Sequence, residues 1–348
     1  MEQIPHSKPW ITADDMAAVS SVLSSAMLAQ GDRTRALERR LAAWMNATGG
    51  VAVASGSAGI VLALHGLGVG PGDEVVLPTY VCRSVLEAAL STGATAVLTD
   101  VGQGWLMTPA DARRALGSRT RAIVVPHLSG VFADIDSFRA LGVPIVEDCA
   151  QALDAAGKRT VKGDVAVFSF HPTKCLTAGE GGMVIAANAG LLEKMRTYRD
   201  GAADGYGARL FSPLSDIAAG LALAQLDRYE EGLARRREIA DSYRSAVESC
   251  CAGALNRAAL DDSMYFRFPL RLPGGLDACQ QAFAAFGVQV RKGVDVLLHR
   301  GMGLADQSFP VAVDLFDTTV SLPIYPALSR SQELRCIEAI TQLLPRLH

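Results

Sequence analysis

From about residue 50 to residue 190 the chain alternates short, continuously apolar runs with longer stretches in which apolar residues recur at helical spacing. The runs Val51–Ala54, Glu74–Leu77, Ala96–Leu98, Ala122–Val125, Pro144–Glu147, Val165–Phe170 and Met183–Ala186 predict seven strands. Most lack the apolar/polar alternation of a half-solvated sheet, as expected of strands buried on both faces of a mostly parallel sheet. Between them Ala58–Leu67, Ser84–Ser91, Pro109–Leu116 and Ser137–Leu141 read as helices, with Pro or Gly at the joins. Strand and helix in this alternation predict an α/β domain of three layers around a seven-stranded sheet. After Ser215 the texture changes. Ile217–Leu226 and Tyr229–Val247 read as long helices, followed by a strand at Phe266–Leu272, a helix at Asp277–Ala285, a strand at Gly287–Arg291 and a closing helix at Ser331–Leu344. The boundary falls near residue 235, inside the second long helix, giving a large domain over 1–235 and a smaller α+β C-terminal domain over 236–348.

A chain of 348 residues can bury roughly 75% of the surface its unfolded form exposes, so it needs no disulfide or metal to hold a core. With 33 Lys+Arg against 36 Asp+Glu, a net charge of −3 and no block of one sign, a nucleic-acid or membrane-surface role is disfavoured. The seven cysteines, Cys82, Cys149, Cys175, Cys250, Cys251, Cys279 and Cys336, show no CxxC or CxxH spacing. They read as thiols in a reducing compartment, with neither a disulfide framework nor a zinc site. The start, MEQIPHSKPW, has no basic region followed by an apolar stretch, and no run approaches the length of a membrane span. A cytoplasmic protein is expected.

In open α/β sheets ligands sit beyond the carboxyl ends of the strands, and three segments there could carry chemistry. Ser55-Gly56-Ser57-Ala58-Gly59 joins a strand to a helix. Its small residues and the helix N-terminus suit a phosphate, and an ordinary Ser N-cap explains the segment equally well. No GxGxxG follows a strand and no GxxxxGK[ST] occurs, so dinucleotide and P-loop readings lose their main support. Glu147-Asp148-Cys149-Ala150-Gln151 ends a strand. An acid there needs a cationic or hydrogen-bonding partner, although Asp148 as a helix N-cap is the structural alternative. Between Val165–Phe170 and Met183–Ala186 lies HPTKCLTAGEGG. Lys174 in it is a candidate Schiff-base nucleophile whose pKa burial would lower, or else a solvated surface charge. His171 reads as a ligand or base, or as a packed histidine before Pro172.

With these residues assembled, the sequence resembles the DegT/DnrJ/EryC1/StrS family of pyridoxal-phosphate enzymes, mostly sugar aminotransferases of fold type I. The resemblance runs nearly end to end, through IPHSKPWIT, QGDRTRALERRLA, VASGSAGIVLALHGLGVGPGDEVVLPTYVC, VVPHLSGVFADID, IVEDCAQAL, FSFHPTKCLTAGEGG, LSDIAAGLALAQL and SLPIYPALS. It implies a fold-type-I transferase with pyridoxal 5'-phosphate as cofactor. By this resemblance Lys174 looks like the lysine that holds the cofactor as an internal aldimine and shuttles the proton. Asp148 looks like the partner of the pyridine nitrogen, which keeps the ring an electron sink. Gln151 matches the residue near the ring's phenolic oxygen, and Gly56, Ser57 and Ser169 match phosphate contacts.

The chain also departs from the family pattern. Cys82 stands where a ring-stacking aromatic is common, with Tyr80 two positions away; the thiol either contacts the ring or merely packs. In the segment that reaches across the dimer to the phosphate, Tyr206-Gly207-Ala208-Arg209 keeps Arg209 but lacks the usual preceding Asn, and about three residues, Phe211 to Pro213, are inserted after it. Leu153-Asp154 replaces the usual His-Gly. His299 matches a histidine near the substrate-facing loop, or is a surface histidine. Arg291 and Lys292 could attract a diphosphate, or remain solvated.

The resemblance implies an aminotransferase that moves an amino group from L-glutamate or glutamine to a nucleotide-linked keto-sugar, with the active site at a homodimer interface. A keto-cyclitol is the nearest alternative acceptor. A pyridoxamine-dependent dehydratase, in which histidine replaces the lysine, is disfavoured by Lys174; an aldol-dehydrating cyclase keeps the lysine. A non-catalytic cofactor-binding sensor is the remaining alternative, disfavoured by the intact set of Lys174, Asp148, Gln151 and Ser169.

Overall fold

A computed structural model describes residues 2–202 and 209–347. The seven expected strands all form, as β1 (Gly49–Val53), β2 (Glu74–Pro78), β3 (Thr95–Thr99), β4 (Thr120–Pro126), β5 (Ile145–Asp148), β6 (Val165–Ser169) and β7 (Gly182–Ala186). They join one sheet in the order β1-β7-β6-β5-β4-β2-β3. The run from β3 to β6 is parallel, whereas β7 is antiparallel to both β6 and β1. Alternate residues of β6 enter separate cores: Val165 and Val167 pack on one side, Ala166 and Phe168 on the other. Burial on both faces is why these runs are apolar throughout. Helix Gly56–Gly66 packs across β6 and β7, and helix Asp32–Trp44 packs on β1.

Two helices absent from the sequence reading precede the sheet, Ala13–Ser25 and Asp32–Trp44. The second is capped from far along the chain by Asp216. Its carboxylate accepts from the backbone N–H groups of Gly31 (2.8 Å), Arg33 (3.1 Å) and Thr34 (2.9 Å) and from the Thr34 hydroxyl (2.8 Å). Those N–H groups are the ones a helix start leaves without internal partners.

Helix Tyr229–Cys251 runs without a break through residue 235. Beyond it, β8 (Phe268–Arg271), β9 (Arg291–Lys292) and β10 (Thr319–Leu322) form an antiparallel sheet in the order β8-β10-β9. The strand expected at Gly287–Arg291 is not there as such. Only Arg291–Lys292 joins the sheet, because Val288 pairs instead with Ile4 of the N-terminal arm. Ile4 N–H donates to Gly287 O (2.7 Å) and Gln289 N–H to Ile4 O (3.0 Å). The arm is thus stitched to the C-terminal region and not to the seven-stranded sheet. Among the described residues no helix is long and apolar enough to cross a membrane.

Candidate active site

A cavity of about 550 Å³ opens at the carboxyl ends of β4, β5 and β6, within the usual size range of small-molecule sites. One wall is the start of helix Gly56–Gly66. Ser55 is its N-cap and accepts from Ala58 N–H at 3.1 Å, while Gly59 N–H bonds Ser55 O at 3.0 Å. The first N–H groups of the helix, on Gly56 and Ser57, have no partner within it, and both residues line the cavity. The N-cap reading therefore holds for Ser55 and leaves the anion cradle to its two neighbours. Ser169, the last residue of β6, completes the cradle. It comes this close because residue 56 has no side chain: a Cβ there would lie 2.8 Å from the Ser169 Cβ.

Asp148 ends β5 and is 6% exposed. Its Oδ1 accepts one hydrogen bond, from Ala150 N–H at 3.0 Å, and no cation among the described residues lies within 4.0 Å of it. Burial pushes its carboxyl above the ordinary value, opposed by the Ala150 N–H and by the charge of Lys174. Lys174 lies in the tight return between β6 and β7, which Phe170 closes by donating to Gly181 O (2.8 Å) and accepting from Ala178 N–H (2.9 Å). The ammonium sits 5.4 Å from the centre of the Phe266 ring. Burial lowers its pKa from that of an ordinary lysine, and the neighbouring Asp148 charge works against that shift. Gln151 Oε1 accepts from Ser129 N–H at 2.8 Å, so its amide N–H₂ remains free to donate into the cavity.

His127, the residue after β4, lines the same cavity behind Asp148. Its Nδ1 accepts from Ala133 N–H at 2.9 Å, so the ring proton is on Nε2, which donates to buried Glu147 at 3.0 Å. Glu147 in turn accepts from the N–H groups of Lys162 and Gly163. With Cys149 these two side chains form a close cluster, but a metal at Nε2 would require stripping the proton from a histidine already bonded at Nδ1. The cluster is a buried hydrogen-bonded support for the end of β5.

The match to the DegT/DnrJ/EryC1/StrS aminotransferase family spans residues 9–341. The chain belongs to that family. Among its relatives is the Bacillus subtilis spore coat polysaccharide biosynthesis protein SpsC, 29% identical over 98% of this chain and 97% of that one. Among solved structures, S. venezuelae DesV superposes with a TM-score of 0.90 at 30% identity over 100% of both chains. Spr1654 of Streptococcus pneumoniae, known in a PLP form, does so with a TM-score of 0.89 at 26% identity over 99% of both. The fold-type-I architecture, the aminotransferase class and pyridoxal phosphate as the family's cofactor are thereby borne out.

The cavity fits that cofactor. It offers a helix-end cradle with two serines for a phosphate, a buried carboxylate lacking a cation for a pyridinium N–H, and an amine in the same space. The structure brings Gly56, Ser57, Cys82, Asp148, Gln151, Ser169 and Lys174 together around it. Exposed His171 also lines it, with Nδ1 2.9 Å from the Thr173 hydroxyl. Cys82, which the resemblance sets at a ring-stacking position, is exposed, caps no helix bond and accepts from the Ser84 hydroxyl at 3.2 Å. Tyr80 does not replace the missing ring. It is buried, with its hydroxyl in the space that a Cβ on Gly293 would fill, 2.1 Å away.

Two expectations need correction, those for His299 and for the Arg291–Lys292 pair. His299 is neither at the surface nor in the cavity lining. It is fully buried, stacked on Phe309, its Nδ1 accepting from the Thr79 hydroxyl (2.7 Å) and its Nε2 donating to Asp306 (2.8 Å). It ties the 297–306 segment to the end of β2. Arg209 is exposed and away from the cavity of its own chain, donating to Asp200 O at 3.2 Å and covering Phe211; Tyr206, Gly207 and Ala208 lie outside the described residues. Arg291 and Lys292 do not act as a pair. Successive residues of a strand face opposite ways: Arg291 lines the cavity, whereas Lys292 sits 4.0 Å over the Phe316 ring. The cationic neighbour that sequence reading missed is Arg267, whose signal was a lone charge inside the apolar run Tyr265–Leu270. His127 was also missed, although it follows a strand by the same rule that found Asp148.

Proposed function

We infer that the chain transfers an amino group from L-glutamate, or glutamine, to a nucleotide-linked keto-sugar. The observation that carries this reading is one cavity holding a phosphate cradle, a cation-free buried Asp148 and the amine of Lys174. The name of SpsC, a polysaccharide biosynthesis protein, supports a sugar as the acceptor. When bound, pyridoxal phosphate supplies a carbonyl carbon for amines and an electron sink for the adjoining C–H bond. Gly56, Ser57 and Ser169 would hold the phosphate. Asp148 would keep a proton at the ring nitrogen, a role that gives its buried charge the partner it lacks. Gln151, already oriented by Ser129, would donate to the phenolic oxygen. Lys174 would hold the carbonyl carbon and, once released, move the proton at the substrate carbon, for which a lowered pKa keeps the amine available.

Arg209 would reach the phosphate of the partner subunit's site in a homodimer. The large cofactor-binding part would span residues 1–235, N-terminal arm included, and the smaller part residues 236–348. Adding L-glutamate to the purified holoenzyme should remove the visible cofactor band and release 2-oxoglutarate, and a nucleotide-linked keto-sugar should restore the band. A band unchanged by both glutamate and glutamine excludes the donor half of the proposal.

A further inference from the structure

The C-terminal wall of the cavity carries two guanidinium groups, Arg267 and Arg291, and among the described residues neither has a carboxylate within 4.0 Å. By contrast, buried Arg199 is paired with Glu38 at 2.7 Å and half-buried Arg235 with Glu333 at 2.6 Å, whereas buried Arg236 is satisfied by backbone carbonyls alone. Arg267 donates only from Nη1, to Lys292 O at 3.1 Å, and its buried Nε has no partner. Asp295 shares the wall and attracts Arg267 from beyond ion-pair distance. His6 also lines it, but burial, helped by Arg267 and Arg291, pushes its pKa down to about 3. It is neutral at working pH, bonded to the Ser321 hydroxyl at 2.9 Å. The wall is therefore left with two positive groups against one carboxylate.

Arg267 is also held rigidly relative to the cofactor residues. Its N–H donates to Ser129 O at 3.4 Å, Met264 N–H donates to Gly130 O at 3.0 Å, and Ser129 N–H is the group bonded by Gln151. Buried Arg236 donates to the carbonyls of Tyr265 (3.2 Å), Phe266 (3.3 Å) and Ile324 (2.8 Å). Ser129, Gly130 and Tyr265 all have left-handed backbones, with φ of 57°, 86° and 54°. Residue 130 can only be glycine, since a Cβ would lie 2.7 Å from Phe266 N. Strain of this kind persists where the surroundings over-determine it, and it clusters at ligand sites.

The geometry points to a two-arginine subsite, Arg267 with Arg291, that binds an anionic group of a substrate beside the cofactor. It rests on the aminotransferase reading above. The group is the carboxylate of the amino donor or the diphosphate of the acceptor, since a guanidinium fork fits either.

The test uses the holoenzyme and follows binding of 2-oxoglutarate and, separately, of inorganic pyrophosphate by calorimetry. Arg267→Gln and Arg291→Gln should each weaken one of the two probes at least tenfold, with Arg267→Lys in between. Loss confined to 2-oxoglutarate assigns the subsite to the donor, and loss confined to pyrophosphate assigns it to the acceptor. Unchanged affinity for both probes in either variant, or no binding of either probe to the wild-type holoenzyme, overturns the proposal. Arg291 is exposed, so its variant stays informative even where Arg267→Gln fails to fold. Probe binding that is lost in the variants, in an enzyme that never responds to glutamate, would refute the proposed donor and keep the subsite.

Discussion

Gly182 is the residue whose substitution most directly probes the phosphate cradle without touching a ligand-binding side chain. It sits in both ladders of β7, opposite Val53 of β1 and Ser169 of β6, so its own backbone is pinned on two sides. A Cβ at this position would lie 2.5 Å from Ser55 O, 2.6 Å from the Ser55 carbonyl carbon and 2.7 Å from Gly56 N. All three are backbone atoms, which no rotamer change can remove. Since non-bonded carbon contacts settle near 3.5 Å, the Ser55–Gly56 turn must retreat by roughly 1 Å in Gly182→Ala. Overpacking of this kind costs about 1–3 kcal/mol, and disturbance of the Ser55 cap adds up to about 1 kcal/mol. At a rate of roughly 2 °C per kcal/mol for a chain of this size, the melting temperature of the cofactor-free protein should fall by about 2–8 °C. The larger effect falls on the cofactor. The displaced N–H groups of Gly56 and Ser57 lose at least one charge-assisted hydrogen bond to phosphate, about 1.5–3 kcal/mol, so the Kd for pyridoxal phosphate should rise about tenfold to a hundredfold. Gly301→Ala, with nothing within 4 Å of the added Cβ, is the matched control. The assay is absorbance titration of apoenzyme with cofactor, beside thermal denaturation of the same samples. A Gly182→Ala protein that binds cofactor within twofold of wild type would refute the cradle.

Two further outcomes follow from the geometry. Asp216→Ala should destabilise the protein by about 3 kcal/mol in urea unfolding at neutral pH, because it strips a helix of a charged cap with four donors. Burial pushes the Asp216 carboxyl up, but the Thr34, Arg33 and Gly31 N–H groups and the Thr34 hydroxyl outweigh it and hold the group below its ordinary value. Its stabilisation is therefore full above the ordinary carboxylate pKa and is lost as pH falls through the depressed folded value, so the gap between wild type and variant must narrow on acidification; a pH-independent gap contradicts this. Cys82 is the one exposed thiol among the seven cysteines and lines the cavity. Iodoacetamide should label it first in the apoenzyme, and bound cofactor should slow that labelling severalfold, as read by peptide mass; equal rates would place the thiol out of reach of the ring.

The sheet was legible because β1, β2 and β4 to β7 are buried on both faces, which leaves an unbroken apolar signature. Asp148 and Ser169 were legible for a related reason, as polar residues at the points where such strands end. What escaped depends on pairing between distant segments. The expected strand at Gly287–Arg291 carries the right residues, but Ile4, more than 280 positions earlier, takes Val288 out of the sheet. The Asp216 cap joins helices 180 residues apart, and nothing local at either end announces it. Arg291 and Lys292 looked like a charge pair because they are adjacent in sequence, yet strand alternation sends them to different neighbours. His299 matched a family position by spacing, while its burial is set by Thr79, Asp306 and Phe309, which only the fold assembles.

The central claim is that Lys174 is the amine that holds the cofactor in this cavity. Borohydride reduction of the purified holoenzyme, followed by protease digestion and mass spectrometry, tests it most directly. The account predicts a single modified peptide carrying the cofactor's mass on Lys174, with no fixation in Lys174→Ala and with fixation lost when L-glutamate is added before the borohydride. Fixation on another lysine, or undiminished fixation and turnover in Lys174→Ala, would contradict it.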